Sequence, residues 1–266
     1  MKKVLSVLLS IVVIFALGGC GSKKAAVVTD KKVITVGASP IPHKEILEAA
    51  KPVLAKAGYT LKIVEFTDYV TPNTALAEKQ LDANFFQHTP YLKEFSKEKG
   101  LDLTYTVKVE IEPMALYSNK YKKLSDLKNG ASIAIPNDPT NGARALRVLE
   151  KAGLLKLKSG ELISKVDITS NRKNLKITEL DAPQLPRILK DMDAAVINSN
   201  YAMEAKLKLT DSLVVEAKDS PYANVLAVRT EDKNKPYIKA LSKALTSPEV
   251  KKFILEKYKG AVIPAF

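Results

Sequence analysis

The stretch Ala83–Leu92, which reads A-N-F-F-Q-H-T-P-Y-L, brings together residue types that could bind a small molecule. It contains two adjacent phenylalanines and one of the two histidines in the chain. In an extended strand, side chains alternate between two faces, so one face would carry Asn84, Phe86 and His88, and the other Phe85 and Gln87. An amide, an aromatic ring and an imidazole on one face suit a ligand with an apolar part and a polar end. A core phenylalanine pair beside a buried histidine is the alternative interpretation.

A second polar stretch follows the predicted strand Ala131–Ile135 and reads P-N-D-P-T-N-G. Thr140 or Asn141 could cap the predicted helix Ala143–Ala152, whose free N–H groups and positive dipole end would then favour an anion. Arg144, in the first turn of that helix, offers a planar guanidinium that matches a carboxylate. A surface salt bridge is the alternative role for this arginine.

Three further residues lie where a ligand could reach them. Asn198 ends an apolar strand, and ligands gather at the carboxyl ends of strands in open α/β sheets. Asn224 begins the last long strand, and an amide can accept from an ammonium group or donate to a carboxylate. Tyr69 lies in a loop after a strand and could form the wall of an apolar pocket. Taken singly, each asparagine could equally be a turn or cap residue.

The sequence contains few residues suited to catalysis. The single cysteine is Cys20, and neither His43 nor His88 has metal-ligand spacing around it. There is no Gly-x-Ser-x-Gly motif and no glycine-rich phosphate loop. The carboxylates Glu110 and Glu112 flank a predicted hinge and have no other feature of an active site. We therefore expect a protein that is not an enzyme, with no catalytic residues, no metal site and no cofactor.

The net charge narrows the choice of partners. The formal charge is +13, but the lysines are scattered and form no dense basic block. We therefore expect no nucleic-acid partner, and expect the charge to favour anionic lipid or wall polymer instead.

The N-terminus predicts export and anchoring. Two lysines precede an apolar run, Val4–Leu17, which is shorter than the roughly 20 residues that span a bilayer. Leu-Gly-Gly-Cys20 then resembles the bacterial lipobox. We predict a signal peptide over residues 1–19, lipidation of Cys20, and a tether over residues 20–32. The mature protein would be anchored in the cell membrane by lipid and would face the extracytoplasmic side.

The rest of the chain alternates between strands and helices, as in an α/β protein. The unit formed by strand Val33–Gly37, helix His43–Ala57 and strand Leu61–Phe66 predicts a parallel sheet with a right-handed crossover. Breaks near residues 111–116 and 218–224 would let the chain enter a second lobe and return. We predict lobe 1 over residues 33–112 plus 224–266, lobe 2 over residues 113–223, two hinge crossings, and a ligand cleft between the lobes.

Several longer motifs, in the same order, resemble those of one family. They are F-T-D-Y-V-T-P-N, L-D-A-N-F-F-Q-H-T-P-Y-L, P-N-D-P-T-N-G-A-R, N-L-K-I-T-E-L-D-A-P-Q-L-P-R, A-V-I-N and D-S-P-Y-A-N. With the lipobox, they make the chain similar over nearly its whole length to the methionine-binding lipoproteins, the substrate-binding subunits of bacterial methionine ABC importers. The resemblance implies a two-lobed periplasmic-binding-protein fold of type II. It also implies a monomer that delivers methionine to a permease and ATPase.

The resemblance also implies roles for single residues. Arg144 would bind the ligand carboxylate, Asn198 and Asn224 would hold the ammonium and carboxylate, and Tyr69, Phe86 and His88 would line the thioether pocket. Asn200, close behind Asn198, could share its role. Three alternatives stay open: a methionine-containing dipeptide, another small amino acid, or a surface lipoprotein acting in adhesion or as an enzyme.

Overall fold

A computed structural model of the protein describes residues 31–217 and 221–266. The predicted signal peptide, the predicted lipidation site Cys20 and most of the predicted tether lie outside the described residues. Within the described ranges, no helix has the length and apolar character needed to cross a membrane.

The described chain is a mixed α/β structure. Its strands are β1 (Val33–Ala38), β2 (Thr60–Glu65), β3 (Ala83–His88), β4 (Leu103–Ile111), β5 (Ala115–Tyr117), β6 (Ser132–Pro136), β7 (Lys156–Leu157), β8 (Ile168–Ser170), β9 (Lys176–Leu180), β10 (Ala194–Ile197), β11 (Val214–Val215), β12 (Ala223–Arg229) and β13 (Ile263–Pro264). Its α-helices are α1 (Glu45–Lys56), α2 (Thr71–Ala77), α3 (Thr89–Lys99), α4 (Pro139–Lys151), α5 (Leu185–Ile188), α6 (Ser199–Glu204), α7 (Pro236–Leu245) and α8 (Pro248–Tyr258). Short π or 3₁₀ turns cover Pro40–Lys44, Leu124–Asp126, Lys165–Asp167, Ala182–Gln184, Leu209–Asp211 and Thr230–Asp232.

The strands form two larger sheets and one small hairpin. The first sheet has the order β13-β4-β12-β3-β1-β2, and the second has the order β11-β5-β10-β6-β9. In the first sheet β1 runs parallel to β2 and β3, whereas β12 runs antiparallel to β3 and β4. The predicted parallel unit at the start of the chain is therefore present, and the return of the chain through β12 adds the antiparallel pairs.

The chain passes between the two sheets twice. The first crossing, residues 112–114, joins β4 to β5. The second crossing leads from β11 to β12, and its described residues are 216–217 and 221–222. Strand β4 continues to Ile111, into the region near residues 111–116 where the sequence predicted a break. The extension exists because Ile111 pairs with Ala223 in β12 and with Ile263 in β13, which are distant in sequence.

A β-bulge changes which side chains of β3 share a face. Val225 in β12 lies opposite Gln87, and the next residue of β12 lies opposite Phe85, so Phe86 is an extra residue without a partner. Such a bulge re-aims side chains. Phe85 is fully buried in the core beneath α1, on the opposite side from Phe86. Asn84 does not join Phe86 and His88, because its side chain bonds with that of Gln87 at 2.9 Å.

Candidate functional site

A cavity of about 330 Å³ lies between the two sheets. Its lining includes all six residues that the sequence proposed as ligand-binding: Tyr69, Phe86, His88, Arg144, Asn198 and Asn224. The others are Gln87, Tyr91, Glu112, Asn141, Ser199 and Asn200. Neither Asn141 nor Glu112 had been assigned to a binding site from the sequence.

One wall of the cavity is aromatic. The ring of Tyr69 lies 5.8 Å from that of Phe86, 5.9 Å from Tyr91 and 5.0 Å from Tyr201, measured between ring centroids. The Tyr91 hydroxyl donates to the backbone carbonyl of Tyr69 at 2.8 Å, which fixes the loop against α3. The bulge in β3 places Phe86 in this group and not in the core beneath α1.

His88 is a neutral hydrogen-bond donor in this wall. Its Nδ1 accepts from the backbone N–H of Tyr91 at 3.1 Å, so the imidazole proton is on Nε2, which donates to Asn141 Oδ1 at 3.0 Å. Burial, together with the nearby Arg144 charge, lowers the pKa of His88 to about 3. The side chain therefore presents no positive charge to the cavity near neutral pH.

Two buried amide atoms in the cavity have no hydrogen-bond partner among the described residues. Asn198 donates from Nδ2 to Asn141 Oδ1 at 2.8 Å, which leaves its Oδ1 unpaired. Asn200 accepts from the Tyr69 hydroxyl at 2.6 Å, which leaves its Nδ2 unpaired. The cavity thus holds one orphaned acceptor and one orphaned donor, and such groups in a native structure call for a partner.

Arg144 is held from several directions. Its Nε donates to both carboxylate oxygens of Glu216 at 3.0 and 3.1 Å, and its Nη2 donates to Glu216 at 2.5 Å and to the backbone carbonyl of Glu112 at 2.7 Å. The guanidinium carbon also lies 4.4 Å from the ring centroid of Tyr222. The side chain is 4% exposed, so a surface salt bridge is not its role.

The local structure around Arg144 differs from the prediction in one respect. Helix α4 begins at Pro139 and not at Ala143, because Asp138 is its N-cap and accepts from the backbone N–H of Asn141 at 2.9 Å. Pro139 fits the first helical position, which needs no N–H donor. Arg144 therefore lies in the second turn, and the Asp138 carboxylate occupies the helix terminus where an anion site was expected.

A buried ion cluster lies beside the cavity, where the first crossing begins and the second one ends. His43 Nε2 is 3.2 Å from Glu110 Oε1 and 3.1 Å from Glu112 Oε1, and Asn224 Nδ2 donates to the same two oxygens at 2.7 and 2.9 Å. Burial opposes the charged imidazole, but the two carboxylates outweigh it and raise the pKa of His43 to about 9. Burial and the charge of Glu112 raise the pKa of Glu110 to about 7.

This cluster contains the residue types of a metal site. His43, Glu110 and Glu112 offer ligand atoms within 4.8 Å of one another. The Asn224 amide nitrogen, however, lies 3.1 Å from His43 Nε2 and bonds both carboxylates, so a metal ion would have to displace it. The arrangement is a hydrogen-bonded ion cluster. Sequence reasoning missed it because His43 lies far from the glutamates in the chain; the i, i+2 spacing of the glutamates was the available indication.

The family model, the related sequences and the related structures all place this chain in the same family. A family model described as NlpA lipoprotein matches residues 34–266. The Bacillus subtilis methionine-binding lipoprotein MetQ is 42% identical over 273 residues, covering 99% of each chain. The Salmonella typhi D-methionine-binding lipoprotein MetQ is 42% identical over 254 residues, covering 93% of this chain and 92% of the relative. A solved nutrient binding protein from Burkholderia cenocepacia, bound to methionine, has a TM-score of 0.85 at 47% identity, over 88% of this chain and all of that one.

Proposed function

Because the chain belongs to the NlpA lipoprotein family, we propose that it is a solute-binding protein that captures methionine and delivers it to an ABC importer. The observation that carries the proposal is the pair of orphaned amide atoms, Asn198 Oδ1 and Asn200 Nδ2, in a cavity with an aromatic wall. An acceptor and a donor in the same cavity suit a zwitterion. The ammonium of an α-amino acid donates to the first, and its carboxylate accepts from the second.

Charged groups around the cavity support the same orientation of the ligand, with its ammonium and its carboxylate at different ends of the site. Arg144 uses Nε and Nη2 for its bonds to Glu216 and Glu112, so Nη1 is the guanidinium nitrogen that has no bond within residues 31–217 and 221–266. We assign Nη1 to the ligand carboxylate. Glu112 lines the cavity and supplies negative charge for the ammonium, while Asn224 holds the Glu112 carboxylate in place.

The aromatic wall suits the methionine side chain. Contacts between a thioether and the rings of Tyr69, Phe86 and Tyr91 contribute roughly 0.3–1.5 kcal/mol each. His88 adds a neutral ring, because its pKa is lowered to about 3.

The proposal also covers the division of the chain into lobes, the lipid anchor and the transport partners. We propose that lobe 1 comprises residues 33–112 plus 224–266 and lobe 2 residues 113–223, with hinge crossings between them. Cys20 would carry the lipid that anchors the protein to the extracytoplasmic face of the membrane. The protein would act there as a monomer together with a permease and an ATPase.

Isothermal titration of ligand-free protein tests the binding proposal. The ligands are L-methionine, D-methionine, a methionine-containing dipeptide and the remaining amino acids. We expect methionine to bind, and at a hundred times its Kd to add about 2.7 kcal/mol to the free energy of unfolding. Asn198→Ala is expected to lose more than tenfold in affinity, and the exposed Asn234→Ala serves as the matched control. Absence of methionine binding to the wild-type protein would refute the proposal.

A further inference from the structure

The Arg144–Glu216 pair neutralises the only cationic side chain that lines the cavity within the described residues. Both side chains are buried, at 4% and 8% exposure, and three contacts of 2.5–3.1 Å join them. The charge of the guanidinium is thus compensated by the protein before any ligand arrives. A buried charge without a partner is costly, whereas a compensated one is not.

Glu216 is itself fixed in position. Its Oε2 accepts from the backbone N–H of Met114 at 3.1 Å, and its own backbone N–H donates to the Met114 carbonyl at 2.8 Å. Met114 belongs to the first crossing and Glu216 to the second. The carboxylate therefore turns the Nε–Nη2 edge of Arg144 toward itself and the Nη1 side toward the cavity.

Because of the other charges around the cavity, the Arg144–Glu216 pair determines whether a zwitterion or an anion binds better. Beyond Arg144 and Glu216 they are the carboxylates of Glu110, Glu112 and Asp138 and the imidazolium of His43. The sum of these charges is negative. A zwitterionic amino acid leaves that sum unchanged, while a carboxylate without an ammonium group adds an uncompensated negative charge to a buried site.

We infer that Glu216 is a specificity-determining residue, which makes the cavity accept zwitterions and reject anions of the same shape. The inference rests on the proposed function, since it presumes that the cavity binds an α-amino acid. In this role Glu216 does not contact the ligand. It acts through the charge and the orientation of Arg144.

The test compares methionine with 4-(methylthio)butanoate, which is methionine without its amino group. Titration calorimetry measures the Kd of both ligands for the wild type, Glu216→Gln, Glu216→Asp and the exposed control Glu256→Gln. We expect Glu216→Gln to shift the ratio of the two Kd values toward the anion by at least tenfold. Glu216→Asp keeps the charge, so the ratio should stay within about twofold of the wild type even if both affinities fall. The control Glu256→Gln should change neither the Kd ratio nor the two affinities.

A second measurement uses the wild type alone, in case Glu216→Gln does not fold. Calorimetry in buffers of different ionisation enthalpy gives the protons taken up with each ligand. We expect about one proton with 4-(methylthio)butanoate and close to none with methionine. An unchanged Kd ratio in folded Glu216→Gln, or anion binding to the wild type within tenfold of methionine and without proton uptake, would overturn the inference. Failure of the wild type to bind methionine would instead overturn the proposed function.

Discussion

The ion cluster beside the cavity predicts a specific dependence of stability on pH. The pKa of His43 is about 9 in the folded protein and about 6.5 in an unfolded chain. A group with a raised folded pKa stabilises the protein fully below the unfolded value and loses that effect as the pH rises through the folded value. The stabilisation from His43 is therefore intact below pH 6.5 and is lost by about pH 9.

The magnitude follows from the size of the shift. Each pKa unit corresponds to 1.36 kcal/mol, so the full effect of His43 is on the order of 3 kcal/mol, of which about 2 kcal/mol is lost between pH 7 and pH 9.5. Other groups act mainly outside this window. The raised pKa of Glu110, about 7, makes the free energy of unfolding fall as the pH rises, mostly between pH 4.5 and 7. The lowered pKa of His88 has the opposite effect, because it makes the free energy of unfolding rise as the pH rises toward 6.5.

Urea unfolding of ligand-free protein between pH 7 and pH 9.5 measures this effect. We expect the free energy of unfolding of the wild type to fall by about 2 kcal/mol more than that of His43→Gln over this range. His88→Gln is the matched control, because the other histidine of the chain should leave the decrease intact. Parallel pH profiles for the wild type and His43→Gln would show that His43 does not hold its proton in the folded state, and the account of the cluster would be wrong.

Two further predictions concern the cavity wall and the start of α4. Tyr69→Phe removes the hydroxyl that donates to Asn200 Oδ1, so the Asn200 amide is no longer oriented. Calorimetry should then show that methionine binds more weakly by about 1 kcal/mol, or fivefold. An unchanged Kd would contradict the assigned role of Asn200. Gly142→Ala would bring a Cβ to 2.9 Å from the carbonyl oxygen of Pro136, so thermal unfolding should show a loss on the order of 1–3 kcal/mol. Gly160→Ala is the control, since its Cβ would meet only a side-chain methyl group of Ile163, at the longer distance of 3.3 Å, and equal losses in both variants would count against the steric argument.

Local patterns in the sequence predicted most elements to within a few residues. Helix α8 shows how local such signals are, because a proline at its first position and an N-cap serine at Ser247 define where it begins. Apolar runs such as β10 were recognisable because a strand buried on both faces needs no alternation. The candidate site residues were predictable for a different reason, since they lie in motifs of a known family.

Apart from the start of α4, which a local N-cap sets, the features that sequence reasoning missed depend on long-range pairing. The bulge at Phe86 arises from the register of β12 against β3, and no pattern within Ala83–Leu92 contains that register. The role of Asn141 depends on His88 and Asn198, which lie 53 and 57 positions away. Glu216 was not singled out from the sequence, because its partner Arg144 lies 72 positions earlier in the chain.

The same long-range bonds connect ligand capture to the approach of the two sheets. Tyr69 and His88 belong to the side of the first sheet, and they bond Asn200 and Asn141 on the side of the second. Each orphaned amide atom costs about 1–3 kcal/mol while it has no partner, so Asn198 Oδ1 and Asn200 Nδ2 together oppose this arrangement by roughly 2–6 kcal/mol. A zwitterion that satisfies both atoms removes that cost only when the sheets are together, because Tyr69 must already hold Asn200. If the cavity binds methionine as proposed, we expect the binding free energy to be coupled to closure, and a ligand that lacks either charged group to leave part of the opposing cost in place.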